Sequence, residues 1–279
     1  MNRYTKLTAM RELSFWVVGA IVLAPLYVLI VLSLKTKQDA TASPFGLPTN
    51  PTFENYTRAW SSGGATGVPF STALFNSVFT TVVVVAVLIA LAAPAGYAIA
   101  RRTSRLSNWI FALFVVGIIL PMQLGLVPLF VFVGRLGLSG TRLSLVLVYV
   151  GVLMPLAVFL YATFFRALPR DYEEAAEVDG ASHVRAFVQI VLPLMRPITG
   201  TVAILCGLAV WKDFFIPLVF VNGTDNVTLP VAIYSFVGQN VTDWNLIFAS
   251  IVIAMAPVLI VYVLMQRYVL RGFVTGVRG

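Results

Sequence analysis

Acid–base and nucleophilic chemistry need a base, and this chain offers almost none. His183 is the only histidine and Cys206 the only cysteine. One imidazole and one thiol cannot furnish a Cys/His metal site. A Cys–His or Ser–His nucleophile would depend on His183 alone, which lies in a charged loop. A single cysteine also forbids an intrachain disulfide. The four lysines are Lys6, Lys35, Lys37 and Lys212, and none ends a G-x-x-x-x-G-K-S/T phosphate loop. No catalytic residue, metal set or cofactor site is therefore assigned. Two charged constellations remain. Asp171, Glu173, Glu174, Glu177 and Asp179 place five of the chain's eleven acids within nine residues. Trp211-Lys212-Asp213-Phe214 sets two opposite charges side by side inside an apolar run.

The surrounding chain is 59% hydrophobic and 11% charged over 279 residues, with a mean hydropathy of +0.92. A soluble domain carries about a quarter charged residues, so the composition points to an all-α membrane protein. The net charge of +8 is not gathered into a nucleic-acid face. Six apolar runs reach the length of about 20 residues that hydrocarbon demands. They lie near residues 14–34, 73–100, 109–133, 143–165, 198–221 and 246–270 of a single domain spanning 1–279. The first is too long for a signal peptide and is read as retained. Pro25, Pro94, Pro121, Pro128, Pro155, Pro217 and Pro257 fall within these runs, where kinks are expected. Between the first two runs, "FENYTRAW" reads as a short amphipathic element.

Basic residues set the orientation. Arg3, Lys6 and Arg11, then Arg101, Arg102 and Arg105, then Arg166, Arg170, Arg185 and Arg196, and finally Arg267, Arg271 and Arg278 fall on one side. Lys35, Lys37, Arg58, Arg135 and Arg142 fall on the other. The excess places both termini and the acidic loop, 166–197, in the cytoplasm. Lys212 and Asp213 remain inside a span, where an isolated charge costs about 2.5–3.5 kcal/mol. Neighbours at i and i+1 diverge on a helix, so each needs its own partner or water. Lining a solute path, contacting a partner and snorkelling outward all answer that need.

The acidic loop reads as two short helices around a turn. Pro169 suits a first helical turn, and the acids at 171, 173 and 174 favour the positive end of its dipole. Gly180 supplies the left-handed stop. Ser182 or Asp179 caps the second helix, and Pro193 and Pro197 mark the return to the membrane. Ala175 and Ala176 would admit a close partner backbone, with Glu174 offering a carboxylate. On these grounds alone a solvated, well-capped loop is an equal alternative.

Glu174-Ala175-Ala176, Asp179-Gly180-Ala181, Phe187, Ile190, Leu192-Pro193 and Pro197 together resemble the EAA loop of ABC-importer permeases. "PTFENYTRAW", "FNSVFTT", "WKDFFIPLVF" and "GFVTGVRG" are similar to the carbohydrate branch, specifically the smaller permease of the maltose-transporter kind. Lys212 departs from that pattern, where Asn is more common. The resemblance implies a type I permease fold of six spans in the bacterial cytoplasmic membrane. It implies a coupling helix that docks on an ATPase through Glu174, Ala175, Ala176, Asp179, Gly180 and Pro193, with Glu174 pairing a basic group. It implies a second permease, two ATP-binding subunits that hold ATP and Mg2+, and an extracytoplasmic solute-binding protein. This chain would be a non-catalytic subunit moving a sugar by alternating access, with Trp211, Lys212, Asp213 and Phe214 as candidate path residues. A glycerol phosphate ester is the alternative solute. An ion-coupled secondary transporter is a remote alternative, since it leaves the loop motif unexplained.

Overall fold

A computed structural model describes residues 6–237 and 243–275, with side chains for 10–237 and 243–263. Arg3, Arg278 and the end of the "GFVTGVRG" tail lie outside the described residues, as do the side chains of Lys6, Arg267 and Arg271. The described residues are all-helical, with no strand element. The helices are α1 (Lys6–Ser33), α2 (Lys37–Ala42), α3 (Glu54–Ser61), α4 (Phe70–Arg101), α5 (Arg105–Ile119), α6 (Leu126–Arg135) and α7 (Arg142–Ala167). They continue as α8 (Asp171–Val178), α9 (His183–Ala186), α10 (Leu192–Leu194), α11 (Arg196–Lys212), α12 (Phe215–Phe220), α13 (Leu229–Tyr234) and α14 (Trp244–Thr275).

Among the described residues, four stretches are long and apolar enough to cross a membrane: Met10–Ser33, Phe70–Arg101, Arg142–Ala167 and Trp244–Val263. Their flanks expose side chains that water would not tolerate together, such as Phe15, Trp16, Ile21 and Val22 on α1. The third and fifth expected spans differ from simple helices. Residues 109–133 divide into α5 and a Met122–Arg135 segment bent by 97°. Leu120 is extended (φ −66°, ψ 129°), as a residue before proline prefers, and Pro121 cannot donate back to Gly117. Residues 198–221 break after Lys212, where Asp213 turns extended (φ −73°, ψ 132°). Pro217, four residues on, lacks the N–H that would bond the Asp213 carbonyl and would clash with it. Pro25, Pro94, Pro155 and Pro257 sit instead within continuous helices.

The described residues fall into two compact units. In the first, drawn from Met1–Ser71 and Ala232–Ile260, α3 forms where "FENYTRAW" predicts a helix and buries Asn55 and Ala59, one turn apart. The Asn55 amide donates to the carbonyls of Ser33 (2.8 Å) and Lys35 (2.7 Å). It thereby satisfies acceptors that the end of α1 leaves orphaned. Asn245 Nδ2 donates to Asn55 Oδ1 at 2.7 Å. Lys35 is itself fully buried, its ammonium donating to the Ser43 carbonyl.

In the second unit, Val84 and Leu88 of α4, Tyr161 and Phe165 of α7, and Val202 and Cys206 of α11 form a common core with no exposed surface. Gly96 sets the α4–α7 approach: a Cβ there would lie 2.7 Å from Tyr161 Cβ and 3.0 Å from the Ala162 nitrogen. No larger residue fits without separating the two helices.

Candidate functional site

The acidic loop is closed by its own backbone hydrogen bonds and caps. Helix α8 opens on Arg170, whose carbonyl accepts from Glu173 N (2.8 Å) and Glu174 N (3.0 Å). Pro169 thus lies just outside the helix rather than in its first turn, while Asp171, Glu173 and Glu174 occupy that turn. At the other end Gly180 N donates to Glu177 O (3.0 Å) and Ala181 N to Ala176 O (2.9 Å). These paired bonds form a Schellman stop, and Gly180 has the φ of +80° it requires. The Ser182 hydroxyl accepts from Arg185 N and caps α9. A π-helical turn, Phe187–Val191, follows. Pro193 sits half-buried in α10, and the chain then bends by 70° into α11, with Pro197 in its first turn.

The five acids divide by direction. Asp171, Glu174, Ala175 and Val178 fall at i, i+3, i+4 and i+7, one face of α8, and all four are exposed. Ala176 is buried against the fold. Asp179 and Gly180 are exposed at the turn, and Glu177 pairs with His183 at 2.8 Å. Glu173 alone points inward. Its carboxylate accepts from Arg101 Nε (2.7 Å) and from the Tyr97 hydroxyl (3.1 Å). The Arg101 and Glu173 side chains are only 13% and 12% exposed. Arg101 Nη1 also donates to the carbonyls of Phe165 (2.9 Å) and Leu168 (3.2 Å), capping α7. Tyr97 stacks on Phe187 (4.7 Å) and meets Phe165 edge-on (5.4 Å).

The second constellation resolves differently for its two charges. Asp213 is half-buried. Its carboxylate accepts from the Tyr149 hydroxyl (2.9 Å) and from the backbone N–H groups of Phe215 (3.3 Å) and Ile216 (3.1 Å). It caps the start of α12 and pins the break to α7. Hydrogen bonds to a charged group contribute about 1.5–3 kcal/mol each, enough to offset the cost of placing one carboxylate in a span. Lys212 is exposed, and no hydrogen bond or ion pair joins it to a described side chain. Trp211 and Phe214 are half-buried, with the Phe214 ring 5.7 Å from that of Phe215.

Sequence reasoning passes over Arg101, Tyr97, Glu173 and Tyr149. Arg101 reads as one more topology charge, and Glu173 is masked by the motif acid beside it. Asn76 is missed as well: its amide holds the carbonyls of Asp225 and Val227 at 2.9 Å, and its oxygen accepts from Arg142 Nε at 2.8 Å. Beside the α5–α6 bend lies a cavity of about 530 Å³, lined by Gly117, Pro121, Met122, Leu129, Gly151 and Pro155 among others. No charged side chain lines it, so it offers a polar solute little to recognise.

Residues 92–274 match the family described as "Binding-protein-dependent transport system inner membrane component", and the chain belongs to it. It is 32% identical over 253 residues to the melibiose/raffinose/stachyose import permease protein MelC of Bacillus subtilis (strain 168), covering 90% of each chain. It is 34% identical over 251 residues to the diacetylchitobiose uptake system permease protein NgcG of Streptomyces coelicolor, covering 89% of this chain and 82% of that one. A solved bacterial ABC transporter involved in import of the acidic polysaccharide alginate shares the fold. Its TM-score is 0.81 at 20% identity, covering 96% of this chain and 99% of that chain.

Proposed function

We infer that this chain is one permease subunit of an ABC importer for a sugar or oligosaccharide, and that the exposed face of α8 is where an ATPase docks. The observation that carries the reading is that face: a carboxylate, an alanine and a valine on one stripe, held rigid by the Gly180 stop. Val178 is 87% exposed, an apolar side chain with no cover of its own. The chain has no phosphate loop, which supports placing ATP and Mg2+ on a separate subunit. The similarity to MelC and NgcG supports a saccharide as the solute. On this reading the two bent helix pairs count as spans, giving six, with both termini and the acidic loop cytoplasmic. A second permease completes the path, and an extracytoplasmic binding protein delivers the solute. Lys212, exposed at a helix break and without a hydrogen-bond or ion-pair partner among the described side chains, faces the path together with Trp211 and Phe214, while Asp213 fixes the break.

The test is reconstitution of the full complex with its binding protein and a panel of saccharides, measuring stimulated ATP hydrolysis and uptake. Stimulation by one saccharide class is expected, and Glu174→Lys abolishes it. Normal stimulated hydrolysis and uptake in Glu174→Lys and in Gly180→Pro would remove the docking role. Accumulation driven by an ion gradient in the absence of the ATPase would overturn the reading as a whole.

A further inference from the structure

The acidic loop joins α7 to α11, so chain connectivity alone would hand its motion to those two helices. The side chains add a third. Glu173 Oε1 meets Arg101 Nε at 2.7 Å and Nη2 at 2.6 Å, and Glu173 Oε2 accepts from the Tyr97 hydroxyl at 3.1 Å. Both partners sit on the last turns of α4. The second half of the loop reaches the same tyrosine, since Phe187 lies 4.7 Å from the Tyr97 ring. In the reverse direction, Arg170 Nη2 donates to the Arg101 carbonyl at 3.1 Å. The guanidinium also caps α7 through Phe165 and Leu168, and Gly96, one residue before Tyr97, lets α4 and α7 touch at backbone distance.

We propose that Glu173 is a positioning residue that latches the acidic loop to α4 through Arg101 and Tyr97, so that displacement of α8 moves α4 and α7 with it as one body. The proposal rests on the docking reading and adds a division of labour between adjacent acids. Glu174 faces the ATPase; Glu173 faces the chain's own fold. A largely buried contact in which one carboxylate oxygen takes the Arg101 Nε–H and the other the Tyr97 hydroxyl suits a joint that must carry force without slipping, because directed hydrogen bonds as well as charge hold it.

The experiment follows α4 directly. A cysteine at Phe75, exposed near the far end of α4, is labelled with a membrane-impermeant maleimide in the assembled, reconstituted complex. Cys206 is fully buried and does not compete. Labelling rates are compared without nucleotide and with MgADP plus vanadate. In the otherwise unaltered complex the rate is expected to change severalfold between the two states. In Glu173→Gln the change disappears while the ATPase still co-purifies. Tyr97→Phe, which keeps the ring contacts and deletes only the hydroxyl, reduces the change and covers the case in which the Glu173→Gln chain fails to fold. A nucleotide-dependent change that persists in both variants would overturn the latch, as would no change at residue 75 in the unaltered complex. Loss of the ATPase from Glu173→Gln would make Glu173 a docking residue instead and also overturn the proposal. Failure of the docking reading looks different: Glu174→Lys would keep the ATPase bound and hydrolysis stimulated.

Discussion

Glu173 and Glu174 are adjacent, as are Lys212 and Asp213, and in each pair one side chain turns into the fold and the other turns out. The inward members differ in what they meet. Glu173 meets a full positive charge, Arg101, across 72 residues of chain. Asp213 meets only neutral donors, one tyrosine hydroxyl and two backbone N–H groups. An ion pair ties two elements into a fixed orientation, whereas a cap mainly ends one element and starts the next. The loop is thereby tied to α4, and the break in residues 198–221 is capped and held to α7.

The comparison can be broken most strongly at the outward acid of the loop. Glu174→Lys reverses a charge on the proposed docking face and is expected to lower uptake by about tenfold or more, with the protein still inserted in the membrane. Gly180→Pro is expected to match it, because proline fixes φ near −65° where the turn needs +80°. Next comes the inward pair. Arg101→Ala strands the Glu173 carboxylate and the α7 carbonyls, and should destabilise the purified complex by on the order of 3 kcal/mol, read as a fall in its unfolding midpoint. Asp213→Ala should cost less, about 1–3 kcal/mol. Asp213→Asn recovers part of that loss, since its single amide oxygen can still take one of the two N–H groups, which bond different carboxylate oxygens. Equal effects of Ala and Asn would show that charge rather than capping matters at the break. Lys212→Ala is expected to leave stability within about 0.5 kcal/mol yet lower saccharide uptake severalfold. Unchanged uptake with unchanged assembly would take Lys212 out of the solute path.

Much of this was legible in the residues. Hydropathy located α4 and α7 within about three positions and the cores of α1 and α14, whose ends run further than the apolar runs, and the loop's capping grammar is written in Gly180 and Ser182. Where the sequence misleads, proline context is the cause. Seven prolines in apolar runs look alike, but only some break a helix. At 217 the preceding turn holds Asp213, whose carboxylate can replace helical partners for the next N–H groups. At 121 the chain continues into Met122–Gly125, a tight 3-10 turn with a glycine end. Pro155 lies mid-α7 among helices on both sides and leaves it continuous. The latch was illegible for another reason. Arg101, Tyr97 and Glu173 are brought together only by the packing of α4 on α7, which Gly96 permits and no local pattern announces.

The amide of Asn55 carries a consequence for how the chain is made. It closes the end of α1 at once, through Ser33 and Lys35, but its oxygen waits for Asn245. Those partners are 190 residues apart. At about 5–20 residues per second, the ribosome needs roughly 10–40 s to supply the second from the first. During that interval Asn55 is held on one side only. The end of α1 is therefore fully tied down only when α14 begins.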